Sequence, residues 1–227
     1  MFMRLLFFDM EFANGQVPGS VYSLGYVITD EEFCVLEEGR DLLINPECAW
    51  NSYVEQNILA YPKEEVEASP AFPEVYGEIR GLFESVDVAV GFSVSNDNRA
   101  LKKDCERYGL EAFSYRHFDV EKLCRMQEEH KDAHGLSGYY TAGCGEPPHN
   151  QHRSDGDALA TMELLKKICE VNHVTAEMMV IAYPECVGES LQPVKPQEKK
   201  SKKPRRRRGR GNGKKKRAKT EASEARA

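Results

Sequence analysis

The sequence predicts a layered α/β domain: a mixed five-stranded sheet, its first three strands an antiparallel meander, flanked by helices and followed by a disordered basic tail. Three observations carry this. Three strand-like runs come first, and alternating helix-like and strand-like stretches follow, an order that builds a sheet covered by helices. Hydrophobic residues make up 41% of the 227, enough for a substantial core. Charge is divided unevenly: residues 195–227 hold 16 Lys and Arg against 3 Asp and Glu, while residues 1–194 hold 15 against 34. The net charge of −6 therefore combines an acidic body of −19 with a tail of +13. The expected division is a domain over 1–191 and a tail over 192–227.

Residues 3–12 are the first expected strand, a short apolar run that meets acids at its end. Residues 21–29, rich in β-branched and aromatic side chains, are the second. Residues 33–36 and 41–44 supply the third, closed by Asn45-Pro46, and the turn signal Asp30-Glu31-Glu32 joins it to the second. Behind Pro73, the residues Val75, Ile79, Leu82 and Phe83 recur at helical spacing. Residues 86–91 form a short apolar strand, 96–108 a helix stopped by Gly109, and 113–118 a fifth strand. Residues 135–151, rich in Gly, Pro and His, read as a loop. Residues 157–171 read as a helix with Ala158, Met162, Leu165 and Cys169 on one face. From Gln192 onward there is too little to bury, which predicts disorder.

Several classes are excluded. Apolar runs fall far short of the ~20 residues of a membrane span, so no membrane partner is expected. The start MFMRLLFFDMEF lacks the pattern of a signal peptide. The seven cysteines are scattered without a CxxC, which argues for reduced thiols and an intracellular, cytoplasmic protein. In a eukaryotic source the tail could also serve nuclear import.

Three clusters bear on chemistry. Asp9 and Glu11 stand two apart at the end of the first strand, on one face of it. Asp97 follows an apolar strand at the mouth of a helix, and Asp157 opens the last long helix with His152 five residues before it. Each alone has an ordinary reading, as a solvated strand end or a helix-start acid worth ~0.3–1 kcal/mol. Together they place four carboxylates where core elements end. Carboxylate oxygens suit hard divalent ions such as Mg2+ or Mn2+. A pair of such ions offsets the mutual repulsion and can clamp the oxygens of an in-line phosphoryl displacement. A neighbouring His suits deprotonation of the attacking water.

The order and spacing resemble the DEDDh exonucleases of the DnaQ-like group, over roughly residues 3–172. Phe7-Phe-Asp-Met-Glu-Phe resembles the first exonuclease motif, and its Glu-Phe pair is similar to the ERI-like exoribonuclease branch. Asp97 with its upstream strand resembles the second motif, and His152-x4-Asp157-Ala the third. The resemblance implies a ribonuclease H-like fold and a 3′–5′ exonuclease that releases 5′-mononucleotides from single-stranded RNA or DNA. It implies two divalent metal ions, Mg2+ or Mn2+, held by Asp9, Glu11, Asp97 and Asp157 with Asp9 bridging them. His152 is then the general base. The backbone from Met10 to Ala13 lies near the terminal nucleotide, with Phe12 packed on it. The second motif departs from its usual His-Asn-x-x-aromatic-Asp: Phe92, Ser93 and Asn96 stand at those positions, and Ser93 keeps a hydrogen-bond donor. The basic tail is expected to tether the same single-stranded nucleic acid. The rival expectation is a non-catalytic nucleic-acid-binding or regulatory module on the same fold.

Overall fold

The computed structural model describes residues 2–17, 19–126, 132–149 and 152–191. The tail expected over 192–227 lies outside them, as does part of the stretch 135–151. Strands β1 (Arg4–Phe12), β2 (Val21–Asp30) and β3 (Val35–Leu43) form the antiparallel meander. Helices α1 (Ser52–Asn57), α2 (Lys63–Glu67) and α3 (Phe72–Glu84) follow. Next come β4 (Val88–Gly91), α4 (Ser95–Tyr108), β5 (Arg116–Asp119) and α5 (Val120–Arg125). Helices α6 (Gly135–Cys144), α7 (Ser154–Asn172) and α8 (Ala176–Ala182) precede a 3-10 turn and β6 (Val187–Glu189).

The sheet order is β3-β2-β1-β4-β5-β6. Strand β4 runs parallel to both β1 and β5, and β6 closes the edge antiparallel to β5. Side chains alternate between the two faces along β1, so both faces are covered. Leu5 and Phe7 pack on one side with Val88, Val90 and Phe118 and with Leu164, Leu165 and Ile168 of α7. Leu6, Phe8 and Met10 pack on the other with Phe72, Ile79 and Phe83 of α3 and Leu101 and Cys105 of α4. Asp9 and Glu11 continue the Leu5–Phe7 face, so the α7 side of the sheet changes from apolar to acidic within one strand.

Four differences from the expected elements have physical reasons. A sixth strand is present; its three residues are held by pairing to β5, which local pattern does not reveal. Strand β3 runs without a break through Glu37-Glu38-Gly39-Arg40, because an edge strand leaves these polar side chains in solvent. Residues 113–115 precede β5 rather than form it, and Phe113 and Tyr115 are buried against Phe83. Residues 135–144 are helical rather than a loop. Tyr139 and Tyr140 of α6 are buried in the core that includes α7, and Gly143 lies where an added Cβ would meet the Leu164 side chain at 3.2 Å. Packing thus overrides the poor helix propensity of the three glycines.

Candidate active site

Strand β1 delivers the first two acids. A register shift falls between Glu11 and Phe12, so the regular ladder ends where the acids stand. Asp97 enters from the third residue of α4 and is 5% exposed. The turn that sets α4 against the sheet holds Ser93 at φ 62°, and the Ser93 N–H donates to Asp119 Oδ1 at 3.1 Å. That same oxygen caps α5 by accepting from Glu121 and Lys122 N–H. Ser93 therefore contributes through its backbone to holding the turn.

Helix α7 delivers the last acid. Asp157 lies in its first turn, and its Oδ2 accepts the His152 N–H at 3.2 Å. His152 sits at φ 66°, a left-handed conformation uncommon outside glycine and often held at functional positions. Its ring is exposed, and a ring nitrogen, a Glu11 oxygen and an Asp157 oxygen all lie within 4.8 Å of one another. These three could share one cation. Asp9 and Asp97 complete the acid group electrostatically.

Burial holds Asp9 far above the usual carboxylate range, reinforced by the charges of Asp97, Glu11, Asp157 and Asp41. Burial, then Asp157, Asp97 and Asp41, push Glu11 up to about 8. Burial pushes Asp97 up to about 7. Asp157 is raised by burial as well, opposed by the His152 N–H it accepts. The charges that act most strongly on Asp9 and Glu11 are all those of other carboxylates. The Tyr22 hydroxyl, buried in the field of Glu11, Asp41 and Asp9, finds no hydrogen-bond partner among the described residues. A set of hard oxygen donors without a counter-charge fits divalent cations.

The expected substrate-side residues divide. Met10 is buried on the opposite face of the sheet. Ala13 is buried, gives its N–H to Ser20 O and takes the Asn51 N–H on its own carbonyl, so both backbone groups are already engaged. Phe12 is partly buried against the same core as Met10 and lines an open groove with Val17 and Arg99.

One residue was missed by sequence reading. Asp41 of β3 lies on the rung Asp9–Gly25–Asp41 that crosses three strands. Its side chain is 5% exposed. Asp41 Oδ1 accepts the Asp155 N–H at 2.8 Å, Ser154 Oγ–H at 2.6 Å and Ser23 Oγ–H at 3.3 Å. The residue before α7, Arg153, makes no side-chain cap of its own. Its guanidinium instead pairs with Asp155 and stacks over Tyr61. Asp41 thus caps α7 from another element, and only the cross-strand register reveals it.

No known family model matches the chain, and no curated protein does. Solved structures are similar. Cell-death related nuclease 4 matches with a TM-score of 0.62 at 15% identity, over 77% of this chain and 66% of its own. A 3′-exonuclease solved in 3′-end specific recognition of a histone mRNA stem-loop gives 0.63 at 10%, over 77% and 84%. E. coli exonuclease I, in a zinc-bound complex with single-stranded DNA, gives 0.64 at 17%, over 74% of this chain but only 41% of its own length. The chain thus shares the fold of these solved nucleases, the ribonuclease H-like fold that the resemblance led one to expect.

Proposed function

We propose that this protein is a metal-dependent 3′–5′ exonuclease acting on single-stranded RNA or DNA. The observation that carries the reading is the convergence of Glu11, Asp157 and His152 from two separate elements, with Asp9 and Asp97 in the same electrostatic field. The solved nucleases of similar fold support it.

Asp9, Glu11, Asp97 and Asp157 would hold two divalent ions, Mg2+ or Mn2+. When bound, such ions polarise the phosphate and acidify a water. A ring nitrogen of His152 takes the proton of the attacking water. The water oxygen bonds to phosphorus as the P–O3′ bond breaks. The products are a 5′-mononucleotide and a strand with a new 3′-hydroxyl. Phe12 packs against the terminal nucleotide, and the basic tail raises the local concentration of strand. An intact set of acids with His152 favours this over a non-catalytic binding module.

The test is a 5′-labelled oligonucleotide, as RNA and as DNA, incubated with the full chain and Mg2+ or Mn2+. A ladder shortening from the 3′ end is expected, lost in Asp9→Ala and Asp157→Ala and reduced in His152→Ala. Uncut strands of both kinds, or unchanged cutting in the two Asp variants, would overturn it.

A further inference from the structure

Helix α8 is apolar almost all round, with Glu177 its single polar residue. Its inner face, Ala176, Met179 and Val180, is buried in the core that includes α7. On its outer face Met178 is 53% and Ile181 67% exposed. These two stand three apart and are neighbours on the helix surface. A helix apolar on every side belongs in an interior, yet no described residue covers this one's outer face. Beside Met178 lies a hollow of about 500 Å3, where the ends of α7 and α8 meet the turn between β2 and β3. Phe33, Val174 and Met178 give it apolar walls.

The hollow is built into the fold. Asp30 Oδ1 accepts the N–H of Glu32 at 3.0 Å and of Cys34 at 2.9 Å, which fixes the turn. The Ala176 N–H donates to the Glu31 carbonyl at 3.0 Å and ties that turn to α8. Glu31, Glu32 and Glu170 line the hollow against one lysine, Lys166. None of the three acids forms a salt bridge with another described residue. Oε2 of Glu31 is enclosed and accepts no hydrogen bond among them. Three carboxylates to one ammonium repel a phosphate backbone and favour Lys or Arg from a partner. Residues 195–227 have that charge, but apart from Ala and Pro they hold no apolar side chain to enter the hollow. The complement is therefore a segment of another protein. On β1, Arg4 pairs with Asp30 beside this turn and Glu11 pairs with Ser23. Seven residues of strand, about 23 Å, thus separate the hollow from the acid cluster, and an occupant leaves that cluster open.

We propose that this hollow docks a protein partner through a short segment in which an apolar side chain is flanked by Lys or Arg. The apolar side chain enters against Phe33, Val174 and Met178, and its flanking cations reach Glu31, Glu32 and Glu170. The test titrates the 15N-labelled full chain, in Mg2+, with the peptide acetyl-Lys-Lys-Leu-Leu-Lys-Lys-amide. Saturable amide shifts at 31–33 and 169–178 are expected, with Kd below about 1 mM. The same peptide with Ser for both Leu is expected to bind at least tenfold more weakly. Glu32→Lys/Glu170→Lys and Met178→Asp, all at exposed positions, are each expected to weaken the leucine peptide at least fivefold while keeping normal circular dichroism. Absence of saturable shifts overturns the proposal, as do shifts confined to 9–11, 97 and 152–157, where the acid cluster alone would draw cations. Equal binding of the serine peptide, or full-strength binding by both folded variants, overturns it too. A full chain that sediments as a dimer, and as a monomer in Met178→Asp, would assign the face to a second copy instead.

Discussion

Asp41 Oδ1 accepts the backbone N–H of Asp155 at 2.8 Å, so a carboxylate on an edge strand caps the helix that carries Asp157. An N-cap interaction stabilises a helix by ~0.5–2 kcal/mol. Here it also fixes where the first turn of α7 meets the sheet, and with it the approach of Asp157 and His152 to Glu11. Asp41→Ala is expected to lower kcat and Mn2+ affinity about 10–100-fold, the usual cost of losing a group that orients metal ligands. Asp41→Asn keeps an Oδ1 acceptor and is expected to recover most of the loss. The check is kcat together with Mn2+ titration by calorimetry. Equal losses in both variants would mean that charge rather than capping matters, and no loss in either would remove the positioning role.

Gly25 makes this arrangement possible. A Cβ there would stand 1.9 Å from the Asp155 nitrogen and the Ser154 carbonyl carbon. These are backbone atoms that cannot swing aside, so α7 would have to lift from β2. Gly25→Ala is expected to destabilise the domain by about 1–3 kcal/mol and to reduce activity more than stability alone explains. Urea unfolding followed by assay of the folded fraction tests this. A variant of wild-type stability would show that α7 does not seat on Gly25.

The placement of Asp9, Glu11, Asp97 and Asp157 near element ends was legible because each lies where a segment of strong periodicity begins or ends. An apolar strand running into acids, or a helix opened by an acid, is local information. Asp41 was not legible, because its partners come from β2 and from α7, 113 residues away for Ser154. Its role depends on register, and register is set by the meander as a whole. Helix α6 was hidden by Gly135, Gly138 and Gly143, whose local preference is outweighed by Tyr139 and Tyr140 entering the core. Strand β6 was hidden by its brevity, since three residues carry no period.

The buried acids make a prediction about pH. Glu11 rises from 4.5 to about 8 and Asp97 from 3.8 to about 7, mainly through burial. Below pH ~3 both are protonated in the folded and unfolded states, and their environment costs nothing. Above that, the unfolded chain releases protons that the fold retains, so stability falls as pH rises and levels off near pH 8. The metal-free protein is therefore expected to lose stability steadily between pH 5 and pH 8. Mn2+ should reverse the loss, because it binds the ionised acids and displaces their protons. Thermal unfolding across this range, with EDTA and with Mn2+, measures both. A metal-free melting temperature that climbs with pH would contradict the unpaired burial of these groups.

The tail makes the last prediction. Residues 195–227 carry 16 Lys and Arg in a chain whose preceding residues total −19. An acidic body repels a polyanion except where cations gather, and a basic segment offsets that repulsion. Its contribution should grow with strand length, because a long strand can engage tail and site together. Deleting 195–227 is expected to raise KM for a thirty-nucleotide strand at least tenfold and to flatten its salt dependence by several units of slope. Cleavage of a trinucleotide, too short to reach both, should change less than threefold. Equal losses on the two strands would assign the tail to folding or to some other partner rather than to tethering.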